Sequence, residues 1–164
     1  MGRTGTRIGL LFAGAPRVPE MVRLARRAEQ AGYESVWMAE TRMTRDGFTP
    51  LAAIGAATER IRLGTGIVNV YTRGAVVLAV SFATLDEIAP GRTIVGLGPG
   101  SPLVLGPQGF EWDRPLRRLR EYSEVMRPLL RGEPVDYDGD TIRLEGALIE
   151  DVLGGEADPS DGGA

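Results

Sequence analysis

Short apolar segments recur along the chain at intervals of about 30 residues, the size of one right-handed β-α-β crossover unit. They are rich in β-branched residues and are predicted to be strands. The segments are residues 7–12, 34–38, 61–68 and 92–97. Nearly continuous apolar strands are typical of a parallel sheet that is covered by helices. The pattern therefore predicts an α/β protein.

Helical periodicity fills the intervals between these strands. In the first interval Met21, Leu24, Ala25 and Ala28 share one face, and arginines lie opposite. The predicted helices are residues 19–31, 50–58, 75–88 and 114–131. The third contains a run that also fits a strand, but its length and the Pro90-Gly91 stop favour a helix. Pro128 is expected to kink the fourth helix or end it early.

The remaining segments are rich in turn residues. Residues 98–113 are predicted to form a long loop, and residues 135–144 a hairpin that turns at Asp138-Gly139. Two architectures fit the repeat: an open four-stranded sheet, or the first half of an eight-stranded barrel. A complete barrel needs about 250 residues, so the 164 residues present can supply half of one.

Composition excludes several kinds of chemistry. The chain has no histidine, no lysine and no cysteine. Histidine metal sites, Ser-His-Asp triads and Schiff-base lysines are therefore excluded, and acid–base work falls to Asp, Glu or Tyr. No metal site is predicted. No apolar run approaches the roughly 18 residues of a membrane span, and no signal sequence opens the chain. We expect a cytoplasmic protein without a membrane partner.

Charge is distributed unevenly along the sequence. Residues 1–132 carry 18 arginines and 12 acidic side chains, whereas residues 133–164 carry 1 arginine and 10 acidic side chains. An acidic tail of this kind is typically solvated, and the basic part can attract an anionic cofactor. The arginines are spread along helices and are not interleaved with aromatic residues, so no nucleic-acid partner is predicted.

The carboxyl ends of the predicted strands should meet on one face, where parallel α/β folds bind ligands. They bring together residues 12–14, 38–41, 66–73 and 98–101. The resulting pocket is lined by glycine and is mostly neutral. Such a pocket suits a flat aromatic cofactor better than a metal.

Two features of this pocket each have a second interpretation. Glu40 can accept a hydrogen bond or move a proton, or it can simply pair with Arg42, Arg45 or Arg73. Residues 96–101 look like a phosphate loop, but Ser101 occupies the last position of G-x-G-x-x-G. The backbone N–H groups of residues 98–101 can still hold a phosphate oxygen, or the segment is a flexible exit loop.

Several motifs in the sequence resemble one family. They are V-W-M-A-E-T-R (36–42), R-D-G-F (45–48), A-T-E-R-I-R-L-G-T-G-I-V-N-V-Y-T-R (57–73), A-T-L-D-E-I (83–88) and G-R-T-I-V-G-L-G-P-G-S (91–101). The chain is similar to the luciferase-like monooxygenase superfamily, and within it to the deazaflavin (coenzyme F420)-dependent oxidoreductases. The resemblance runs from about residue 7 to residue 150.

The resemblance implies a TIM-barrel-type (β/α) fold, here truncated to about four βα units plus the hairpin, over residues 1–150. Residues 151–164 would be a disordered acidic, Gly-rich tail. It implies an oxidoreductase that transfers hydride to or from a small organic substrate, with F420 or alternatively FMN as cofactor. It also implies a cis peptide bond between Gly66 and Ile67. Glu40 would be catalytic, and the cofactor-binding positions would be Glu40, Gly66, Ile67, Val68, Asn69, Gly98, Gly100 and Ser101.

The sequence departs from the family pattern at several points. Thr41 stands where the family often has histidine, and Val70, Gly74 and Ala75 replace proline, histidine and proline. The family's later strands are missing, and the tail looks like the product of a truncation or frameshift. The alternatives are a non-catalytic truncated relic, a subunit that completes a barrel by association, and an open-sheet nucleotide-binding module.

A half barrel would expose two sheet edges and an apolar inner face. We assign to that face Ile8, Leu10, Val36, Leu63, Ile67 and Val95. Exposed apolar patches favour association. The sequence therefore predicts a homo-oligomer or a complex with a complementary half.

Overall fold

A computed structural model describes residues 7–14, 16–41 and 43–149. Within these ranges the main sheet consists of four parallel strands in chain order. The strands are β1 (Gly9–Phe12), β2 (Ser35–Met38), β3 (Arg62–Thr65) and β5 (Thr93–Ile94). The described residues thus form a partial parallel sheet and no closed barrel. The predicted tail, residues 151–164, lies outside the described residues.

The third and fourth predicted strands are each divided in two, which corrects their expected continuity. A separate parallel pair joins β4 (Val68–Asn69) to β6 (Leu97–Gly98). The Thr65 hydroxyl donates to the Gly96 carbonyl at 2.7 Å and accepts from the Gly96 N–H at 3.0 Å. The Thr65 side chain therefore bonds to the backbone of Gly96 between the two strand pairs, and the Gly96 carbonyl also accepts from the Val68 N–H at 3.1 Å. The expected cis peptide bond between Gly66 and Ile67 is present at this division.

Helices α1 (Val18–Gln30) and α2 (Thr49–Ala57) cover one face of the sheet, and α3 (Ala75–Ile88) follows β4. Met21 and Ile54 from α1 and α2 pack against Val36 and Leu63 of the strands, and all four are fully buried. The run that fitted either a strand or a helix is α3, as predicted. Helix α2 begins at Thr49, one residue before its predicted start.

The predicted inner face was wrong for Leu10, Val36 and Leu63, which lie on the side that the helices cover. Leu10, Val36 and Leu63 share one register row and pack beneath the helices. Ile8, Ile67 and Val95 are exposed, at 49%, 38% and 42%. Leu11, which is 57% exposed, lies on the side without helices. Strands that are apolar on both sides carry no alternation from which the buried side can be identified.

The side of the sheet without helices carries one large aromatic ring. Trp37 pairs with Leu11 on one neighbour and Gly64 on the other. A Cβ added to Gly64 would lie 2.4 Å from the indole ring, and one added to Gly9 would lie 3.0 Å from its nitrogen. The indole therefore occupies space that two glycines leave open. Its N–H donates to the Ser35 hydroxyl at 2.9 Å.

A second core lies between α3, α5 (Pro115–Leu129) and a hairpin of β7 (Val135–Asp138) and β8 (Arg143–Ala147). Its largest buried side chains are Phe82 and Tyr122. Pro128 falls next to the last residue of α5, so the helix ends slightly earlier than predicted. The predicted loop 98–113 contains a short helix, α4 (Pro102–Leu105), and a 3-10 turn (Gly106–Gln108). No helix among the described residues is long and apolar enough to cross a membrane.

Candidate functional site

Two adjoining cavities open where the strands end. The first, which we name the glycine chamber, has a volume of about 390 Å³. Its lining is Ala39, Glu40, Thr41, Gly66, Ile67, Asn69, Pro99, Gly100, Ser101 and Val104. It contains one ionisable side chain, Glu40, and glycine backbone forms part of its wall. A flat, largely neutral ligand fits such a lining.

The second cavity, which we name the polar chamber, has a volume of about 330 Å³. It shares Glu40, Thr41, Asn69 and Val104 with the glycine chamber. Its other lining residues are Met43, Thr44, Arg45, Asp46, Thr72, Arg73 and Gln108. Two arginines, three hydroxyl side chains and two amides make this cavity rich in hydrogen-bond donors. The two chambers meet at Glu40 and Asn69.

The sequence-predicted site residues divide into two groups. Six of them line the glycine chamber: Glu40, Gly66, Ile67, Asn69, Gly100 and Ser101. Val68 and Gly98 lie behind its wall. Val68 is fully buried in the second core, and a Cβ on Gly98 would lie 2.5 Å from the Ile67 side chain. Phe12 is buried in the first core, and the carbonyl of Gly14 accepts a hydrogen bond from Arg45.

Glu40 lies two residues after the end of β2 and forms an ion pair with Arg73. The Arg73 Nη1 atom lies 2.7 Å from Oε1 and 2.9 Å from Oε2 of the carboxylate. The backbone N–H of Gly47 also donates to Oε1, at 3.1 Å. Of the three arginines considered from the sequence, Arg73 is the partner, Arg45 is directed to Gly14, and Arg42 lies outside the described residues.

Asn69 ends β4 and organises the turn that follows. Its Oδ1 atom accepts from the N–H groups of Tyr71 and Thr72, both at 3.0 Å, and from the Thr72 hydroxyl at 3.2 Å. The side chain is 4% exposed. Among the described residues its amide nitrogen has no partner, so this group is available to donate to a ligand.

Residues 99–101 form one wall of the glycine chamber. Gly100 has a φ of 64°, a conformation that favours glycine. The Trp112 indole N–H donates to the Pro99 carbonyl at 2.7 Å, so this ring holds the loop in place. The helix that follows has four residues. The loop is therefore part of a chamber wall and not the start of a long phosphate-binding helix.

Asp46 holds the start of α2 beside the polar chamber. Its Oδ1 atom accepts from the N–H groups of Phe48 and Thr49, at 2.9 and 2.8 Å. Burial alone would raise the pKa of Asp46, but these two N–H donors, with the charge of Arg73, lower it below its usual value. The loop residues Met43, Thr44, Asp46 and Gln108 were missed from the sequence because they lie in segments without periodicity.

The described residues contain no group of acidic side chains arranged to hold a metal ion. The ionisable groups at the chambers are instead paired with each other or with backbone N–H and carbonyl groups. Binding at this site would therefore depend on hydrogen bonds and on packing against a flat surface.

Comparison with known proteins relates this geometry to a family. The model of the family described as luciferase-like monooxygenase matches residues 4–153. A 5,10-methylenetetrahydromethanopterin reductase of Methanolobus tindarius is 38% identical over 141 residues, which are 86% of this chain and 43% of the relative. An F420-dependent glucose-6-phosphate dehydrogenase of Nocardia farcinica is 36% identical over 147 residues, covering 81% of this chain and 44% of the relative.

Solved structures agree with the sequence relatives. The coenzyme F420-dependent tetrahydromethanopterin reductase from Methanopyrus kandleri superposes with a TM-score of 0.81 at 28% identity, over 88% of this chain and 46% of that one. An F420-dependent secondary alcohol dehydrogenase in complex with an F420-acetone adduct gives a TM-score of 0.75 at 25% identity, over 88% and 48%. The chain spans less than half the length of these proteins. It belongs to the luciferase-like monooxygenase family, with an α/β fold whose structural neighbours are of the TIM-barrel type.

Proposed function

We propose that the chain belongs to an oxidoreductase that uses coenzyme F420 and transfers hydride to or from a small organic substrate. The observation that carries this proposal is the glycine chamber. Six positions from three separate sequence motifs line one cavity at the carboxyl ends of the strands. Relatives that match over the same residues are F420-dependent enzymes.

The chamber residues fit a deazaflavin ring. Gly66 and Gly100 contribute backbone to the chamber lining, and Ile67 contributes an apolar side chain. Glu40 can accept an N–H or O–H group at the ring edge, and Asn69 can donate to a carbonyl there. When bound, the cofactor would supply the hydride chemistry, and the protein would orient it and exclude water.

The polar chamber would then receive the substrate. It shares Glu40 and Asn69 with the cofactor position, so a group bound there would lie beside the ring. Its arginines and hydroxyl groups favour a substrate that carries hydrogen-bond acceptors. Glu40 and Asp46 are the carboxylates of the polar chamber. Asp46 already accepts from two backbone N–H groups, so a proton that accompanies hydride transfer would be taken up or supplied by Glu40 or by water.

Cofactor titration tests this proposal directly. F420 should bind the purified chain, and its absorbance or fluorescence should change on binding, whereas FMN should bind more weakly. In protein that turns over, Glu40→Gln should lower the rate on the order of 10²-fold, the typical size of a lost orienting contact. Glu20→Gln, which alters an exposed ion pair on α1, is the matched control. A folded chain that binds neither F420 nor FMN would contradict the proposal and favour a non-catalytic relic.

A second proposal follows from the uncovered side of the sheet. We propose that further parallel βα units, in the same polypeptide or from another chain, pack on this side. The side presents Leu11, which is 57% exposed and pairs with Trp37 of the same side, and β1 and β5 are the unpaired edges of the described sheet. The relatives of this chain are about twice as long as the chain, and their additional residues are enough to form such βα units.

Sedimentation of the chain tests the second proposal. Alone, it should associate, and it should bind a hydrophobic dye, because an apolar face and two edges are exposed. Leu11→Gln should weaken both properties, whereas Val77→Gln on the outer side of α3, where Val77 is 60% exposed, should leave them unchanged. A stable monomer of 17.6 kDa that does not bind dye would refute the proposal.

A further inference from the structure

We propose that Arg73 is a positioning residue that fixes the direction of the Glu40 carboxylate, an inference that rests on the proposed role of the glycine chamber. The two residues are 33 positions apart and come from different elements. Their side chains are 22% and 15% exposed. An ion pair with this little exposure is screened less than one at the surface.

The Arg73 guanidinium is itself held in place. Its central carbon lies 5.3 Å from the centre of the Phe48 ring, a cation–π distance. Phe48 in turn packs edge-on against Phe82 of α3, with ring centres 4.9 Å apart. The face of the guanidinium therefore rests on a ring that is anchored in the core, and its edge is directed at Glu40.

The backbone of Arg73 is fixed from the opposite side by α5. The Tyr122 hydroxyl donates to the Arg73 carbonyl at 2.9 Å, and Arg118 donates to the Val70 carbonyl at 2.7 Å. Asn69 closes the same turn through its Oδ1 atom. Both the backbone and the guanidinium of Arg73 are therefore held in place, and the position of this turn determines where Arg73 contacts Glu40.

The hydrogen bonds to Glu40 are unequal at its two oxygens. Oε1 accepts from Arg73 and from Gly47, whereas Oε2 accepts from Arg73 alone. Each carboxylate oxygen can accept about two hydrogen bonds, so Oε2 retains capacity for a ligand. The terminal torsion of a glutamate is broad, and without Arg73 the Gly47 N–H would be the single described hydrogen bond left to hold the carboxylate.

The first test needs no cofactor. Gly47 is buried, and the exchange of its N–H with solvent reports whether Oε1 is in place. Arg73→Ala should accelerate this exchange about tenfold, the effect of losing one hydrogen bond, and Arg73→Lys should restore part of the protection. The neighbouring N–H groups of Phe48 and Thr49 are held by Asp46 and should be unaffected. Glu40→Ala removes the acceptor itself and therefore gives the largest acceleration of Gly47 exchange that the loss of this contact can cause.

Two outcomes would overturn the inference. Unchanged Gly47 exchange in Arg73→Ala would show that Glu40 keeps its position alone. Equal acceleration at Gly47, Phe48 and Thr49 would show that Arg73 merely supports the loop. Arg23→Ala, which removes the exposed pair with Glu20 on α1, is the matched control and should change none of the three.

The second test uses F420 affinity. Arg73→Ala and Glu40→Ala should each weaken binding about tenfold, and the double variant should bind no more weakly than either, because both remove one unit. Additive losses would refute the coupling. If the chain binds no F420, the proposed function fails, but the exchange experiment still decides the role of Arg73.

Discussion

Glu121 joins α5 to the turn of the hairpin, and its replacement by glutamine should destabilise the protein strongly. The side chain is 1% exposed. Oε1 accepts from Arg117 Nε at 2.7 Å and from the Asp140 N–H at 3.0 Å. Oε2 accepts from the Thr141 N–H and hydroxyl and from the Ile142 N–H, at 2.9, 2.6 and 3.2 Å. A glutamine amide would place its own donors against these donors.

The magnitude follows from the pKa of the carboxyl group. Burial alone would raise the pKa of Glu121, but the hydrogen bonds from Thr141, Arg117 and Asp140 lower it from 4.5 to about 2. Because the folded pKa is lower, the ionised group stabilises the fold above about pH 4.5, and this stabilisation is lost as the pH falls towards 2. The two pKa values correspond to about 3 kcal/mol at pH 7 and to less than half of that at pH 3. Arg117 is 47% exposed, so screening reduces both values.

Urea unfolding followed by circular dichroism measures this effect. At pH 7, Glu121→Gln should lower the free energy of unfolding by about 2–3 kcal/mol, and the difference from wild type should shrink at pH 3. Glu124→Gln is the matched control: it lies on the same helix and contacts the hairpin through the Tyr137 hydroxyl, but it is exposed and should cost less than about 1 kcal/mol. A difference below about 0.5 kcal/mol at pH 7, or one that grows in acid, would refute the reasoning.

Three further substitutions test local packing. Gly98→Ala places a Cβ 2.5 Å from Ile67; it should push that side chain into the glycine chamber and weaken F420 binding about tenfold, and equal affinity in a titration would show that the chamber has room to spare. Gly64→Ala meets the Trp37 ring at 2.4 Å and should cost about 2 kcal/mol in urea unfolding, whereas Gly106→Ala, with no atom within 4 Å, should cost little. Asp46→Ala removes the carboxylate oxygen that accepts from two N–H groups at the start of α2, and it should lower the free energy of unfolding by about 1 kcal/mol. A thermal midpoint equal to that of wild type would argue against the capping role of Asp46.

The order of elements was predictable because apolar runs and helical periodicity depend on local sequence. The inner face was not predictable, because β1 and β2 carry large apolar residues on both sides, so hydrophobicity does not identify the buried side. The positions of two glycines do identify the uncovered face. Gly9 and Gly64 lie on the same side of the sheet as Trp37, and they leave space for its ring.

From the sequence we could predict which strand ends meet at the candidate site, but not how their side chains pair. The sequence left three arginines as partners for Glu40, and only the path of the turn after Asn69 selects Arg73. The short helix α4 was hidden because proline and glycine surround it, and its four residues are too few to show a period. The division of the third strand depends on the Thr65 hydroxyl, whose contact with Gly96 is not local in sequence.

The ring of Trp37 makes three successive crossover units dependent on one another. It stands on β2, and the space it occupies is left by Gly9 of β1 and Gly64 of β3. A larger residue at Gly64 is therefore unfavourable only while the ring is present. In a Trp37→Leu background, Gly64→Ala should have little effect on the free energy of unfolding. The order in which such substitutions accumulate therefore decides which of them the fold can accept.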